Sequence, residues 1–490
     1  MKKLILILLL CFFSPIFSQS DEIELRVMTF NIWYGGEQVS FAQTAEVVRS
    51  ANPDLIGIQE PDGNLRLLAN AAGYSFVDEK RNIISRYPLF DPDTADNNYP
   101  YTLVLIRPGR IVAFANVHLT SSPSGPDLVR DGKTPEEVLE TENRVRLPEV
   151  KPYVKALSDV MARGIPVFFA GDFNSPSHLD WTRQAVAMRP QVRFPLEWPV
   201  TRAISDAGLQ DSYREVHPDP IQTPGLTWTP GYPNPWVKSD ELHERIDMIW
   251  SGGAARTVDS KIVGEGKNPA VDFAVDPYPS DHRAVVSTFQ VVPSVAPSLI
   301  AVDMPSFVSG SDFLVRFQTP DFGDWGVVIV PHKGNPVKDV VVAAKGPDVI
   351  STRRSFKFSS TGILPDTYDA VLLDADSKEL VRTTFHILAK DAVPELQLEK
   401  SSFKPGEAFK VFWQNAPGMK NDWIGVYHAN DPDVYGGYLA FVYTGAKVEG
   451  SLSIDNKVLP TPLKAGEYEL RLMREDSYVM LARTRFTIAD

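Results

Sequence analysis

Cysteine is almost absent from this chain: a single residue, Cys11, occurs among 490. Because Cys11 lies in an N-terminal segment that we expect to be removed, the mature protein would have no disulfide, thiolate metal site or cysteine nucleophile. The flanking Leu10 and Phe12 are not the small residues that lipid attachment favours, which argues against a lipoprotein. Stability must then come from apolar cores and a bound cation, although export normally permits disulfides.

Long apolar runs are also scarce, and the one at the N-terminus has the form of a targeting signal. Lys2 and Lys3 precede the apolar run from Leu4 to Phe13, and small residues follow it. This pattern is typical of a secretory signal peptide over residues 1–19 and is too short for an ordinary transmembrane helix. We therefore predict an exported protein, located in the periplasm, on the outer surface or outside the cell.

The chain has no excess of positive charge: 49 Lys and Arg residues face 62 Asp and Glu residues, a formal net charge of −13. Affinity for long nucleic acids comes mainly from neutralising phosphates, so this balance makes a nuclease the less favoured alternative. A nuclease would need a local basic strip near its site, for which the candidates are Arg81, Arg86, Arg107, Arg110, Lys238 and Arg245.

Mixed helix and strand patterns extend from Glu22 to about Val292. The predicted strands are 24–30, 54–59, 101–106, 111–119 and 165–170. The predicted helices are 41–51, 65–72 and a stretch from Thr134 to Gly164, interrupted near Pro148 and Pro152. Residues 191–243 are rich in proline and include Trp198, Trp228 and Trp236, so we predict an irregular, substrate-facing rim there.

Helical periodicity disappears after a predicted linker at residues 292–298. Two similar segments follow, residues 298–389 and 394–490. The pair Asp324-Trp325 matches Asp422-Trp423, and the later tyrosines and phenylalanines (Tyr368 and Tyr468, Phe385 and Phe486) recur at nearly equal spacing. Short strands with turn signals in units of this size predict two all-β, immunoglobulin-like sandwiches.

Polar residues recur at the ends of the predicted strands of the first half. They are Asn31, Glu60, His118, Asp172, Asn174, Asp247, Asp281 and His282. Each one alone has an ordinary explanation, because a carboxylate after a strand is usually a turn former and a single histidine is usually structural. Together they form a set of hard oxygen ligands for a cation beside imidazoles that can transfer protons.

The motifs around these residues occur in a recognisable order: Gln59-Glu60, 116–119 (Asn-Val-His-Leu), 171–174 (Gly-Asp-Phe-Asn), 245–247 (Arg-Ile-Asp) and 280–282 (Ser-Asp-His). The set resembles the endonuclease/exonuclease/phosphatase superfamily, which includes DNase I-like nucleases, inositol polyphosphate 5-phosphatases and bacterial sphingomyelinases. The resemblance covers about residues 22–292. It implies an α/β fold, a four-layer α/β/β/α sandwich, with the site at one end of its two central sheets.

The resemblance also implies a metal site. Glu60 would be the main Mg²⁺ ligand, Asn31 would contact the metal or the phosphate, and Asp281 would contact the metal directly or through water. Mg²⁺ keeps several waters and needs few protein carboxylates, so one dominant glutamate suffices. An exported protein also meets Mn²⁺ and Ca²⁺, so the identity of the metal stays open.

The catalytic roles implied by the resemblance fall on the remaining positions. Asp172 would orient or deprotonate the attacking water, and Asn174 would hold a phosphoryl oxygen. His282 would be a general base or a transition-state donor, with Asp247 fixing its tautomer. His118 would stabilise phosphoryl oxygens or assist the leaving group. The abasic-site DNA repair branch is expected to have a tyrosine near this point, so the histidine argues against that branch.

The substrate is less determined than the chemistry. We expect a phosphodiesterase or phosphatase acting on a small, lipid or glycan-linked phosphoester, with Arg86, Arg245, Trp228 and Trp236 as candidate substrate-binding residues, although an arginine in the Arg86 motif is more often structural. A secreted nuclease and a catalytically inactive surface-binding protein are the alternatives. The β-sandwich modules are predicted to be spacers or to contact a glycan, a cell surface or a membrane. The oligomeric state is left open.

Overall fold

The computed structural model describes residues 22–92, 99–229, 242–320, 325–346, 354–419, 421–434, 437–445, 447–475 and 477–489. The predicted signal peptide, together with Trp236 and Lys238, lies outside the described residues. In the part of the chain that is described, no helix has the length and apolar character needed to cross a membrane.

The first half of the chain alternates strands and helices. Its strands are, in chain order, β1 (Ile23–Asn31), β2 (Leu55–Gln59), β3 (Phe76–Asp78), β4 (Ile83–Ser85), β5 (Leu89–Phe90), β6 (Tyr101–Arg107), β7 (Arg110–His118), β8 (Val167–Asp172), β9 (Gln210–Asp211), β10 (Asp247–Gly252), β11 (Ala255–Gly264), β12 (Phe273–Ala274), β13 (Ala284–Val291) and β14 (Ser294–Val295). Its helices are α1 (Phe41–Ala51), α2 (Leu65–Ala72), α3 (Gly125–Arg130), α4 (Pro135–Arg144), α5 (Arg146–Ala162), α6 (Arg183–Met188), α7 (Pro199–Asp206) and α8 (Ser212–Val216).

Among the described residues, these strands form two sheets. The first sheet has the order β12-β11-β13-β1-β2-β4-β3. The second has the order β5-β6-β7-β8-β10-β9, and β14 joins it by pairing with β7. The inner faces of the two sheets pack against each other through side chains such as Val27 and Leu55 of the first sheet and Phe114 and Phe168 of the second.

Helices cover the outer faces of both sheets. Val47 of α1 and Leu68 of α2 pack on the first sheet against Phe30. Leu157 of α5 and Ile204 of α7 pack on the second sheet in the same core cluster as Phe169 and Phe173. The layers therefore run helix, sheet, sheet, helix, which confirms the predicted four-layer α/β/β/α sandwich.

The polarity of the central strands brings the candidate residues to one edge. β1 runs parallel to β2 in the first sheet, and β7 runs parallel to β8 in the second. Asn31 at the end of β1 binds Asp172 at the end of β8, so the carboxyl ends of all four strands lie at one edge. β10 is antiparallel to β8 and β13 is antiparallel to β1, so the amino ends of β10 and β13 lie at that same edge. Asn31, Glu60, His118 and Asp172 follow the four parallel strands, while Asp247 and the segment before Ala284 begin the antiparallel ones.

Local signals in the sequence explain the helix boundaries. The Ser40 hydroxyl accepts from the amide of Gln43 at the start of α1, and Asn52 ends that helix in a left-handed conformation. Thr134 and Glu137 form a reciprocal capping box at the start of α4. Both the α1 and α2 predictions, 41–51 and 65–72, agree with the observed bounds.

The predicted interruptions at Pro148 and Pro152 are wrong. α5 continues through both prolines, and the break between α4 and α5 falls at Val145 instead. Pro148 lies in the first helical turn, where a missing N–H is tolerated because that N–H has no intrahelical acceptor. Pro152 costs one backbone hydrogen bond, but the apolar face of α5 remains buried through Val150 and Leu157.

The predicted loop at 191–243 is also partly wrong, because it contains α7 and α8. α7 begins at Pro199 directly after Trp198, and Val200 and Ile204 bury its inner face. α8 is capped by Asp211, whose carboxylate accepts from the amides of Tyr213 and Arg214. Short helices of this kind have weak sequence signals among prolines, which explains why the pattern resembled a loop.

The predicted linker at 292–298 is part of the second sheet. Ser294 and Val295 form β14, which pairs with Ile111 and Arg110 at the start of β7. Ala296 is buried in the same core cluster as the outer face of that sheet. The junction is therefore fixed by backbone pairing and apolar contact.

Two all-β modules follow, the first with strands between Leu299 and Leu388 and the second with strands between Glu395 and Ile488. The strands of the first module are β15 (Leu299–Val302), β16 (Ser306–Val308), β17 (Asp312–Gln318), β18 (Trp325–Pro331), β19 (Val342–Gly346), β20 (Ser355–Ser359), β21 (Asp366–Leu373) and β22 (Glu379–Leu388). Those of the second are β23 (Glu395–Leu398), β24 (Ser402–Phe403), β25 (Phe409–Gln414), β26 (Trp423–His428), β27 (Ala440–Tyr443), β28 (Gly450–Ile454), β29 (Gly466–Met473) and β30 (Met480–Ile488).

The two modules share one topology, which confirms the predicted tandem repeat. Within the described ranges, the first module has sheets β15-β17-β20 and β16-β22-β21-β18-β19. The second has sheets β23-β25-β28 and β24-β30-β29-β26-β27, the same orders eight strands later. Each module has its own apolar core, so the chain contains one α/β unit and two β sandwiches.

The matched tryptophans of the two modules are not structurally equivalent. Gly326 pairs with Leu373 beside a β-bulge, and Trp423 pairs with Met473 beside the corresponding bulge, so Trp423 occupies the position of Gly326. A shift of one residue moves a side chain to the other face of a strand. Trp325 consequently packs in the core of its module, whereas Trp423 packs in an aromatic cluster on the outer face of its sheet.

Candidate active site

The predicted catalytic and metal-binding residues meet at the edge where the central strands end. A cavity of about 300 Å³ opens there, and its walls include Glu60, His118, Asp172, Asp281 and His282. Asn174 also lines it. Asn31 and Asp247 lie behind these residues and bind them directly through the hydrogen bonds given below.

Asn31 is the central connector of the carboxylates. Its Nδ2 donates to Glu60 Oε1 and to Asp172 Oδ2, each at 3.1 Å. Its Oδ1 accepts from the amide of Trp33 at 3.1 Å, which fixes the orientation of the side-chain amide. Glu60 Oε2 accepts from the amide of Tyr34 at 3.0 Å. One fully buried asparagine therefore sets the positions of two carboxylates that come from different sheets.

His282 lies between two carboxylates. Its Nδ1 is 2.9 Å from Asp247 Oδ2, and its Nε2 is 3.7 Å from Asp172 Oδ2. Asp172, Asp247 and His282 form the cluster of potential metal ligands found among the described residues. Because Asp247 already binds one ring nitrogen, this trio has the geometry of an oriented histidine rather than an open ligand set.

The electrostatics of His282 follow from its partners. Burial lowers its pKa, but the carboxylates of Asp247 and Asp172 outweigh burial and hold the pKa of His282 well above its ordinary value. With Nδ1 bound to Asp247, the other ring nitrogen, Nε2, faces Asp172 and the cavity. Such a group can donate a hydrogen bond to a developing negative charge.

His118 and Asn174 complete the cavity wall on the other side of Asp172. The Nε2 of His118 is 3.6 Å from Asp172 Oδ2 and 4.0 Å from Glu60 Oε1. The backbone N–H of Asn174 donates to Asp172 Oδ1 at 2.9 Å, and the side-chain Nδ2 of Asn174 donates to the Leu119 carbonyl. Asp172 Oδ2 thus has an imidazole on each side, at similar distances.

Several residues at this edge have a left-handed backbone that non-glycine residues seldom adopt. The φ angles are 58° for Trp33, 45° for Tyr34, 55° for Glu60 and 46° for Asn174. Such conformations cost about 1–3 kcal/mol each and persist where the surrounding structure requires them, most often at functional sites. Glu60 and Asn174 are both held in this conformation by the hydrogen bonds described above.

The charge around the cavity fits a divalent cation. Burial, opposed by the charge of His282 and reinforced by those of Glu60 and Asp172, raises the pKa of Asp281 to about 7. Among the described residues that line the cavity there is no lysine or arginine to neutralise these carboxylates. Carboxylate oxygens are ligands that Mg²⁺, Mn²⁺ and Ca²⁺ prefer, so Glu60, Asp281 and Asp172 suit such an ion. Asn31 was predicted to contact the metal, but its Nδ2 faces Glu60 and Asp172 and its Oδ1 is bound to the Trp33 amide, so it positions the carboxylates.

The two arginines predicted to bind substrate lie elsewhere. Arg86 is at the opposite end of β2 from Glu60, where its guanidinium donates to the Pro53 carbonyl and stacks on the Tyr74 ring. Arg245 is fully buried and forms ion pairs with Asp180 at 2.8 Å and Asp211 at 2.7 Å. Their geometry assigns them structural roles, because neither guanidinium reaches the cavity.

The candidate basic residues that the structure describes are not assembled at the cavity, and Lys238 lies outside the described residues. Arg81 is buried in ion pairs with Asp78 and Asp91. Arg107 and Arg110 flank the turn between β6 and β7, and Arg110 begins the strand that ends at His118. At about 3.3 Å per residue, that strand places Arg110 about 25 Å from His118.

The three tryptophans of the predicted rim differ in where they lie. Trp198 is fully buried and packs edge-to-face on Trp181 at 5.0 Å, so it is a core residue. Trp228 lines the cavity with its ring centroid 4.8 Å from that of His282. Trp236 lies outside the described residues, and its predicted role stays a prediction.

Sequence reasoning missed other residues that line the cavity: Trp33, Tyr34, Ser121, Ser124, Pro126, Asp127, Leu242, Glu244 and Ile246. Glu244 and Ile246 alternate with Arg245, which points the other way into its ion pairs. The two-residue period of an extended segment could have placed Glu244 and Ile246 on the same side. The loop residues at 121–127 carry no comparable signal.

Comparisons with known proteins agree with this description. Residues 28–282 match the sequence profile of the Endonuclease/Exonuclease/phosphatase family. The uncharacterised protein F14F9.5 of Caenorhabditis elegans is 30% identical over 319 residues, which cover 59% of this chain and 98% of that relative.

Solved structures are more distant. An endonuclease/exonuclease/phosphatase from Beutenbergia cavernae is 17% identical with a TM-score of 0.35, covering 74% of this chain and 99% of its own. An AP endonuclease from Archaeoglobus fulgidus is 18% identical with a TM-score of 0.34, covering 54% of this chain and 98% of its own. The ordered strand-end motifs and the match over residues 28–282 identify this chain as a member of the endonuclease/exonuclease/phosphatase family.

Proposed function

We propose that this protein is an exported, metal-dependent phosphoester hydrolase that uses an activated water. The observation that carries the proposal is the position of Asp172, which lies within 4 Å of both His118 and His282 and shares the Asn31 amide with Glu60. Proton-handling groups and cation ligands are thereby joined in one cavity. Members of the family are phosphoester hydrolases, and this arrangement supports that chemistry here.

In the proposed reaction, Asp172 orients the attacking water through Oδ2, the atom that both imidazoles face. His282 donates a hydrogen bond to a phosphoryl oxygen, and Asp247 holds the ring in the tautomer and orientation that this requires. His118 donates to a second phosphoryl oxygen or to the leaving oxygen. Glu60 and Asp281 would hold a divalent cation, with Asn31 positioning Glu60, and the cation would supply positive charge to the phosphoryl oxygens.

A secreted nuclease is the less favoured alternative. The described cavity wall contains carboxylates, imidazoles and aromatic rings, and the candidate basic residues that the structure describes are buried or lie at other edges. Phosphate contacts supply most of the affinity for nucleic acid, and this wall offers none from lysine or arginine. A small phosphoester with a neutral alcohol part fits it better.

The test is hydrolysis of p-nitrophenyl phosphate and bis-p-nitrophenyl phosphate by the full chain after EDTA treatment. Mg²⁺, Mn²⁺ or Ca²⁺ would be added back singly, with plasmid DNA and sphingomyelin assayed in parallel. We expect metal-restored hydrolysis that Glu60→Gln and His282→Ala abolish. The control is the double variant that carries both Glu60→Gln and His282→Ala. If the wild type hydrolyses every ester no faster than this variant, the proposal is contradicted and an inactive binding protein is favoured.

A further inference from the structure

Residues 226–229 form an extended segment that bridges the two sheets at the active-site edge. On one side, the backbone of Trp228 pairs with that of Glu244, which leads into β10 of the second sheet. On the other side, the Thr227 carbonyl accepts from the amide of Arg283 at 2.8 Å, and Arg283 directly precedes β13 of the first sheet. The segment therefore contacts the chain that leads into one strand of each sheet.

The Thr227 hydroxyl holds the start of β10. Its Oγ1 accepts from the amides of Ile246 and Asp247, each at 3.1 Å. Thr227 is fully buried, so water does not compete for these bonds. Strand β9 pairs with β10 farther along, at Trp250 and Ser251, so at the start of β10 this hydroxyl takes the place of a strand carbonyl.

The direction of the Asp247 carboxylate depends on this backbone anchor. Its Oδ2 lies 2.9 Å from His282 Nδ1, while its Oδ1 has no hydrogen-bond partner among the described residues. A functional side chain keeps its geometry only when the groups around it hold it in place. A displacement of the Asp247 backbone would therefore be transmitted to the imidazole ring.

The two middle residues of the segment contact the two members of the Asp247–His282 pair. Successive side chains of an extended segment project to opposite faces. The Thr227 side chain accordingly faces β10, while the centroid of the Trp228 ring lies 4.8 Å from that of the His282 ring. Because the pair joins residues from different sheets, its geometry depends on how this segment connects those sheets.

We infer that Thr227 is a positioning residue of the proposed active site. Its hydroxyl fixes the backbone of Asp247, and its carbonyl fixes the backbone of Arg283, next to His282. Thr227 thereby keeps Asp247 and His282 at hydrogen-bonding distance across the two sheets. This inference rests on the proposed function and adds to it a residue that acts through Asp247 without touching the substrate.

The experiment compares kcat and KM of full-length variants on the p-nitrophenyl ester that the wild type hydrolyses best. Thr227→Val keeps a similar shape and removes the acceptor. It should lower kcat by about tenfold to a hundredfold and change KM by less than about threefold, because small displacements of catalytic groups reduce the rate strongly. Thr227→Ser keeps the hydroxyl and should retain kcat within about threefold of the wild type.

Thr102→Val on β6 is the matched control, because it removes another buried hydroxyl, one that donates to the Phe90 carbonyl outside the cavity wall. Its kcat should equal that of the wild type. Thermal unfolding establishes that each variant is folded before rates are compared. Thr227→Ala gives the same comparison if the valine variant does not fold.

A double-mutant cycle with Asp247→Asn separates positioning from a general loss of stability. In the Asp247→Asn background, Thr227→Val should lower kcat by less than about threefold further, because its effect passes through the Asp247 carboxylate. Losses that multiply in the double variant would overturn the inference, as would a Thr227→Ser enzyme as impaired as Thr227→Val. In those cases hydrolysis that depends on Glu60 would leave the proposed function standing, whereas inactivity of the wild type on every ester would overturn both.

Discussion

Asp247 and Asp172 are direct partners across the antiparallel strands β10 and β8, and His282 bridges them with its two ring nitrogens at 2.9 and 3.7 Å. Asp172 faces the cavity, while Asp247 is buried behind the ring. The strand register therefore places one carboxylate near each ring nitrogen of His282. This relationship leads to the first prediction.

Asp247→Asn should lower kcat by about 10²- to 10⁴-fold and leave the fold intact, because the amide no longer selects the productive tautomer of His282. The measurement is kcat on the best p-nitrophenyl ester, with circular dichroism as the check on folding. Asp259→Asn is the matched control, since Asp259 lies on β11 and pairs with Lys261 at the surface. An Asp247→Asn enzyme with wild-type kcat would rule out the orienting role.

Glu60→Gln should weaken binding of Mg²⁺ or Mn²⁺ by more than about tenfold, because it removes the charge of the principal ligand. Calorimetric titration of metal into EDTA-treated protein measures this independently of catalysis. Glu46→Gln on α1, where the carboxylate is paired with Arg49 and half-exposed, should bind metal like the wild type. Unchanged affinity in Glu60→Gln would place the cation elsewhere.

Stability should depend on pH through Glu244. Burial raises its pKa from 4.5 to about 7, so the folded state holds this proton more tightly than the unfolded chain does. The free energy of unfolding therefore falls as pH rises between about 4.5 and 7, by about 3 kcal/mol at full effect. Glu244→Gln cannot ionise and should lose this part of the pH dependence.

Urea unfolding of wild type and Glu244→Gln at pH 5 and pH 8 measures the difference. The variant should be closer to the wild type at pH 5 and relatively more stable at pH 8. A wild type that gains stability relative to the variant toward pH 8 would show that Arg189 neutralises the charge fully, contrary to the predicted direction.

Arg245 should matter for stability and not for substrate binding. Arg245→Met leaves Asp180 and Asp211 buried with one cation fewer, which costs about 3–5 kcal/mol when one partner of a buried pair is removed. Arg86→Ala removes a partly exposed arginine and should cost about 1 kcal/mol. Denaturant midpoints measure both, and KM of the folded fraction should be unchanged in each. A raised KM in either variant would return that arginine to the substrate site.

Truncation should show that residues after Val292 belong to the α/β unit. A fragment ending at Val292 loses β14 and the buried side chains Ala296 and Leu299. Removing one buried leucine side chain alone costs about 2–5 kcal/mol, so this fragment should be markedly less stable than one ending at Val302. Thermal unfolding of the two fragments tests this, and equal stability would restore the linker interpretation.

Much of the site could be predicted because its residues follow strands with clear apolar patterns. Parallel strands bring their carboxyl ends to one edge of a sheet, which groups Asn31 with Glu60 and His118 with Asp172. The packing of the two sheets then brings these two pairs together. The helices α1 and α2 were equally predictable from the sequence, because capping residues and apolar periodicity agree there. Local and tertiary preferences coincide at these positions.

The misplaced residues depended on partners distant in sequence. Arg245 was predicted to contact substrate, but Asp180 and Asp211 surround it. No local sequence pattern predicts these ion pairs, because both partners are distant in sequence. The sequence match aligned Trp423 with Trp325. Only the strand register, offset by one, shows that the Trp423 side chain lies on the outer face of its sheet.

β15 joins the α/β unit to the first β module within a single strand. Leu299 and Ala301 pack into the core of the α/β unit, while Ile300 between them packs into the core of the module. Tension applied to the C-terminal modules would therefore pass through β15 and β14 to β7, the strand that ends at His118. His118 and the modules are thus connected through paired strands. A recombination event within residues 292–298 would remove Leu299 and Ala301 from the core of the α/β unit, so the units would not exchange as independent cassettes.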